Sequence, residues 1–232
     1  GEDKPVAAYI LIGRDGPAIK SAKKICLDEV SKHADSDRLI FRRHYDAKIG
    51  WWSGESYANL LNPKAVRRFI NLTHEGYKKR FHGDFGGRIP GIFTDEPQIR
   101  MGHSAIPWWD GIPAIYAEWQ KRNFWQDIPY LFFDGPEARK IRLLTHRTIL
   151  RQFVLSFTKQ IFDWCEANHL ISTGHVNAED TLRDQISYHC GGVMAHYRYM
   201  QMPGIDHLCR QIEGVNGHGL PMLLTVKQAS SA

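Results

Sequence analysis

Apolar positions along this chain follow first a strand-like and then a helix-like period. Residues 6–12 form an unbroken apolar run closed by Gly13, the pattern of a buried strand. After the Gly16-Pro17 turn, Ile19, Ala22, Ile25 and Cys26 recur at helical spacing and predict a helix reaching about His33. Residues 38–45 alternate into a second strand. Asn62-Pro63 reads as a helix start, with Asn as cap and Pro in the first turn. Val66, Phe69, Ile70, Thr73 and Tyr77 then mark one face of that helix. A third strand over 89–93 ends abruptly in Thr94, Asp95, Glu96 and Pro97. Strand, helix, strand, helix, strand is the signature of a parallel α/β sheet.

Farther on, residues 98–130 break the pattern as an aromatic- and proline-rich loop insertion, read as a wall of a binding cleft with some helix near 116–122. A long helix is expected from about 134 to 168, with Ile141, Leu144, Ile149, Phe153, Phe157, Ile161 and Trp164 as its apolar stripe. Residues 170–176 form the next strand, ending at His175. Helices near 182–188 and 193–200 lead to a short strand ending at Asp206, and 220–226 suits a strand or a helix. With no repeat or linker, the economical reading is one domain over 1–232. About five strand-type segments fall short of the eight that close a barrel. The expected fold is therefore α/β of the (β/α)8 TIM-barrel type, incomplete, holding the middle strands of the barrel.

Composition removes several function classes. The 43% apolar and 24% charged content is that of a globular protein. Twelve histidines and a net charge of +5 are scattered without a polybasic block, so no nucleic-acid partner is expected. No run approaches the roughly 18 apolar residues of a membrane span. Cys26, Cys165, Cys190 and Cys209 form no CxxC pair. They read as buried free thiols of a reducing compartment, which favours the cytoplasm, while secretion stays open if the N-terminus is missing.

Chemistry-bearing residues gather where strands give way to loops: His44 and Asp46, Asp95 and Glu96, His175, and Asp206. In a parallel barrel those ends form the active-site rim. Adjacent residues on a strand point to opposite faces, so one of Asp95 and Glu96 is expected to face that rim. Glu96 is the candidate general acid/base; the plain alternative is a pair of helix-capping or solvated acids. Carboxylates, histidines and aromatics around a cleft are the equipment of glycoside hydrolysis, where one acid protonates the leaving oxygen and a second carboxylate attacks or activates water. Asp95, Glu179 and Asp206 are available for the second role, none in a distinctive context. Asp95, His175, Asp206 and His44 are candidate ligands of sugar hydroxyls, and Trp51, Trp52, Trp108 and Trp109 candidate stacking platforms. His74-Glu75 lacks the second histidine of a zinc-peptidase motif, and Gly86-Gly87 and Gly191-Gly192 lack the residues of a phosphate loop. Neither a metal nor another cofactor is expected.

Several segments together resemble a known family: Asn62-Pro-Lys-Ala-Val-Arg-Arg-Phe-Ile70, Thr73-His-Glu75, Ile89-Pro-Gly-Ile-Phe-Thr-Asp-Glu-Pro97, Phe132-Phe-Asp-Gly-Pro-Glu-Ala-Arg139, Thr173-Gly-His-Val176 and Met202-Pro-Gly-Ile-Asp206. In that order they resemble the catalytic domain of large multidomain bacterial glycoside hydrolases, some described as α-L-rhamnosidase-like. The resemblance covers residues from about 56 onward. It implies a (β/α)8 barrel whose acid/base glutamate, here Glu96, ends strand four, with His175 ending strand five and Asp206 strand six. It also implies a nucleophilic glutamate on strand seven, expected beyond residue 232, and partners in the remaining barrel strands and β-sandwich domains of the parent chain. The expected substrate is a plant or microbial polysaccharide or oligosaccharide. Two other classes stay open, a non-catalytic carbohydrate-binding α/β domain and a metal-dependent hydrolase using His175.

Overall fold

In chain order, β1 (Pro5–Ile12), β2 (Ser21–Ile25), a 3-10 segment (Leu27–His33) and β3 (Arg38–Arg42) come first. Helices α1 (Pro63–Leu72) and α2 (His74–Phe81) precede β4 (Gly91–Thr94). After α3 (Ile112–Gln120), α4 (Phe124–Asp127) and α5 (Ala138–Phe153), a π-helical stretch (Val154–Thr158) leads into α6 (Lys159–Glu166). Then come β5 (Ile171–Gly174), α7 (Leu182–Asp184), α8 (Val193–Tyr197), β6 (Met202–Pro203) and α9 (Pro221–Ser230). The structure is a computed structural model that describes residues 4–45, 48, 50–99, 105–186, 190–206 and 221–232. The chain divides into two compact units, Gly1–Tyr57 with Asp110–Thr148, and Ala58–Trp109 with Ile149–Ala232. Each has its own three-stranded sheet, and neither sheet closes on itself among the described residues.

The first unit corrects the start of the sequence reading. Its sheet has the order β2-β1-β3 and both pairings are antiparallel. The helix expected over 19–33 is replaced by β2 and a 3-10 segment. The physical reason lies in the turn. Gly16 adopts φ +55°, Asp15 and Ala18 exchange backbone hydrogen bonds at 2.9 Å, and the chain folds straight back along β1. Glycine at the first central position is what such a hairpin turn requires. Once the strand has returned, the ladder from Ala8 opposite Ile25 to Ile12 opposite Ser21 outweighs the weak helical spacing. Ala7, Ala8, Tyr9 and Leu11 of the central strand are buried. Tyr116, Phe124, Ile112 and Ile128, from the segment expected to line a cleft, are buried too, so these side chains of the insertion are core. Tyr116 donates to Asp127 at 2.8 Å, and Arg122 grips the same carboxylate through Nε and Nη2 at 2.6 and 2.9 Å. The buried acid thus has three donors, as a buried charge must.

The second unit follows the expected plan more closely. Asn62 caps α1 by accepting from the Lys64 amide, and Pro63 sits in the first turn, where its missing N–H costs nothing. Val66 and Ile70 are buried; Phe69 and Tyr77, expected on the same face, are exposed. The long helix of 134–168, whose residues up to Thr148 belong to the first unit, is present but interrupted by the π-helical stretch. Its predicted stripe is otherwise buried, with Leu144 partly so. Gln152 and Ser156 on this helix donate to the carbonyls of Leu61 and Leu60, anchoring the turn that opens α1. Strands β4, β5 and β6 lie side by side in sequence order, all parallel. Residues 220–226 fall partly within α9, which begins at Pro221. Cys165 and Cys190 are buried thiols, whereas Cys26 is exposed, and Cys209 lies outside the described residues.

Gly174 ends β5 at φ +135°, and a Cβ there would run into the carbonyl oxygen of Thr94 on β4. Gly174→Ala is expected to destabilise the protein by on the order of 2–4 kcal/mol, combining backbone strain with overpacking. Chemical denaturation checks this, and a change below about 0.5 kcal/mol would refute the close approach. A second expectation concerns His196, fully buried in the same unit. The Cys190 carbonyl can only accept, so Nε2 carries the proton to it at 3.1 Å, while Nδ1 accepts from the Thr158 hydroxyl at 2.7 Å. Burial lowers this imidazole to a pKa of about 4. The unfolded chain therefore binds a proton that the folded one refuses, and stability falls as the pH drops from the ordinary imidazole value toward 4, by about 3 kcal/mol in all. His196→Gln should flatten that part of the stability-versus-pH curve; an unchanged slope would rule the contribution out.

Candidate functional site

The ends of the three parallel strands bring together most of the acids singled out in the sequence. Asp95 and Glu96 directly follow β4, His175 directly follows β5, and Asp206 lies just past β6. Backbone hydrogen bonds keep these ends in step: His175 N–H donates to the Thr94 carbonyl at 3.2 Å, and Gly204 N–H to the Gly174 carbonyl at 2.8 Å. The parallel ladder therefore persists up to the point where the polar residues begin.

At the centre lies His175, only 5% exposed. Its Nε2 is 3.2 Å from Asp95 Oδ1, and its Nδ1 is 3.6 Å from Glu179 Oε2. The two carboxylates differ in kind: the Asp95 side chain is 78% exposed and that of Glu179 3%. Glu179 Oε1 accepts the backbone N–H of Asp206, which ties the end of β6 to the turn after β5. The Asn177 amide donates to the Pro97 carbonyl at 3.4 Å, tying the same turn to the segment after β4. Phe93 of β4 places its ring edge-on to His175 at 5.7 Å and is itself 61% exposed.

These neighbours set the charge of the ring. The Glu179 carboxylate, helped by Asp206 and Asp95, raises the His175 pKa above the ordinary imidazole value, outweighing the burial that would lower it. The contact on the Nδ1 side is electrostatic: at 3.6 Å it is an ion-pair and not a hydrogen-bond distance, and His175 Nδ1 and Glu179 Oε2 are both buried without a hydrogen-bond partner among the described residues. A positive imidazolium is the ring state that both carboxylates favour, since a neutral ring would turn a lone pair toward one of them.

Glu96 is held differently. Among the described residues its carboxylate has no hydrogen-bond or ion-pair partner, and the residue is half-buried. Its backbone sits at φ +46°, unusual for any residue but glycine. The following Pro97 is buried and further disfavours a helical conformation at the residue before it. A strained backbone of this kind costs about 1–3 kcal/mol and persists where the surroundings enforce it. At a strand end it turns Glu96 out of the alternation that places Asp95 beside His175.

The other candidates are distributed unevenly. Trp108 and Trp109 belong to this unit and are partly buried, with the Trp108 carbonyl accepting from Asn59 at 2.9 Å. His44, Trp51 and Trp52 belong to the first unit, where Trp52 packs on Tyr57 with ring centroids 4.5 Å apart. Asp46 lies outside the described residues. Two participants were under-read in the sequence. Glu179 was one acid among several, though its spacing of four from His175 was a usable signal. Phe93 counted only as part of an apolar strand, and nothing in the pattern marks its exposure. His74 is a packing residue: its ring lies edge-on to Trp164 at 5.0 Å, and burial lowers its pKa. Among the described residues no group of three His, Cys, Asp or Glu side chains is placed to hold a metal ion.

No family model, no curated protein and no solved structure matches the chain, so the resemblance drawn above rests on its motifs alone.

Proposed function

We propose that the second unit is a segment of a (β/α)8 glycoside hydrolase acting on plant or microbial polysaccharide or oligosaccharide, with Glu96 as general acid/base. The observation that carries this reading is the half-buried carboxylate of Glu96, unpartnered among the described residues, on a strained backbone at the C-terminal edge of a parallel sheet. Acids at that edge are where parallel barrels do their chemistry. A carboxylate already tied into an ion pair would have to break it to exchange a proton; Glu96 has no such tie among the described residues. Asp95, His175 and Asp206 then serve as ligands of sugar hydroxyls, which accept and donate at once and suit a mixed set of carboxylate and imidazolium groups. The exposed Phe93 ring offers an apolar face beside them. Glu96 would protonate the departing oxygen, and a second carboxylate would act on the anomeric carbon. Trp108 and Trp109, of the same unit, remain proposed stacking platforms.

The test uses the full-length protein and its Glu96→Gln variant on a panel of aryl glycosides, including one with a highly activated leaving group. A general acid predicts a loss of ~10²-fold or more on ordinary substrates. Where the leaving group needs no proton, the loss should be much smaller. Equal rates for both proteins on every substrate would overturn the assignment. Sugar binding without hydrolysis by the wild type would put a non-catalytic binding domain in its place.

A further inference from the structure

The most unusual group at the strand ends is not the proposed acid but Glu179. Its carboxylate is 3% exposed, yet no lysine or arginine approaches it among the described residues. One oxygen accepts the Asp206 amide; the other, buried and without a hydrogen-bond partner among the described residues, faces His175 Nδ1 at 3.6 Å, an ion-pair distance. The residue is pinned from behind as well, since Gln185, itself buried, donates from Nε2 to the Glu179 carbonyl at 2.7 Å. Ala178, immediately before it, takes φ +60° and turns the chain back toward the strand. A buried carboxylate with one amide donor is costly unless a cation faces it. The imidazolium is the cation on offer, and the charged groups that act on it are Glu179 after β5, Asp206 after β6 and Asp95 after β4, acids all.

The arrangement also has a direction. Reading outward, the buried Glu179 is followed by the buried His175 and then by Asp95, whose side chain is largely in solvent. An ion pair with only a structural role has no need of an open outer end. We propose that Glu179 is the positioning residue of this rim: its carboxylate fixes the His175 ring from the Nδ1 side, so that the Nε2–H is presented beside Asp95 to a hydroxyl of the bound sugar. The last step rests on the glycosidase reading; the fixing of the ring does not. Burial alone would lower the imidazole pKa; the neighbouring carboxylates, Glu179 first, outweigh it.

Two measurements on the full-length protein separate these parts. In the first, the side-chain nitrogen and carbon resonances of His175 are titrated by NMR in wild type, Glu179→Gln and Glu179→Asp. Wild-type His175 should titrate above the ordinary imidazole value, Glu179→Gln should bring it down, and Glu179→Asp should keep part of the rise. In the second, Glu179→Gln should raise KM for neutral aryl glycosides roughly tenfold, the worth of one misdirected charge-assisted hydrogen bond, with a smaller change in kcat. Identical titration of His175 in wild type and Glu179→Gln overturns the proposal. So does a wild-type ring titrating at the ordinary value, which decides the matter even if the glutamine variant does not fold. An altered titration with an unchanged KM removes the sugar contact and leaves Glu179 structural. If the ring responds to Glu179 while the wild type hydrolyses no glycoside, the glycosidase reading fails and the orienting role stands.

Discussion

Everything at the candidate site depends on how closely the strand ends of the second unit approach one another at Gly174. The backbone of β4 occupies the space where a side chain of that residue would begin, and a Cβ on Gly204, past β6, would lie 2.6 Å from the Gly174 carbonyl oxygen. The ladder can therefore continue through Thr94, Gly174 and Gly204 without being pushed apart. Because the polar residues begin at the next positions, that contact brings Asp95, His175 and Asp206 onto a common edge. A bulkier residue at Gly174 would separate the acids before altering any of them.

Charge then does the finer work. Three acids approach one imidazole, and the balance between burial and attraction falls on the side of attraction. The same chain contains the opposite outcome. His196 is equally buried but faces a hydroxyl and a carbonyl, and burial alone decides its neutral state. His74, among aromatic rings, also falls on the neutral side. These histidines differ little in exposure; at His175 the neighbouring carboxylates outweigh burial, whereas at His74 the attraction of Glu75 does not.

The first unit shows how a chemically suggestive composition is absorbed by packing. Aromatic and proline residues over 110–130 have the look of a ligand-facing loop, yet Tyr116, Phe124, Ile112 and Ile128 fill the interior beside a small antiparallel sheet. A three-stranded sheet supplies little apolar area of its own, and large rings bury the most area per residue. Asp127, the one buried charged group among the described residues of this unit, is matched by Tyr116 and Arg122. Its polarity serves the fold of that unit.

By itself, the sequence determined what depends on neighbours along the chain. Asn62-Pro63 opened a helix because cap and first-turn chemistry are local. The apolar runs at 6–12 and 89–93 and the segment 170–176 became strands, and acids and a histidine closed the latter two. The helix expected over 19–33 failed because its spacing carried less free energy than a hairpin that only pairing with β1 could stabilise. At the site, Asp95, Glu96, His175 and Asp206 were legible as strand-end residues, but their division of labour was not. Which acid faces the imidazole, that Glu179 lies beneath it, and that Glu96 is held in a left-handed conformation are decided by residues far apart in the chain meeting at three strand ends. The sequence pattern records burial and local backbone preference. Distances between charges, and the desolvation that gives them their strength, exist only once the sheet has formed.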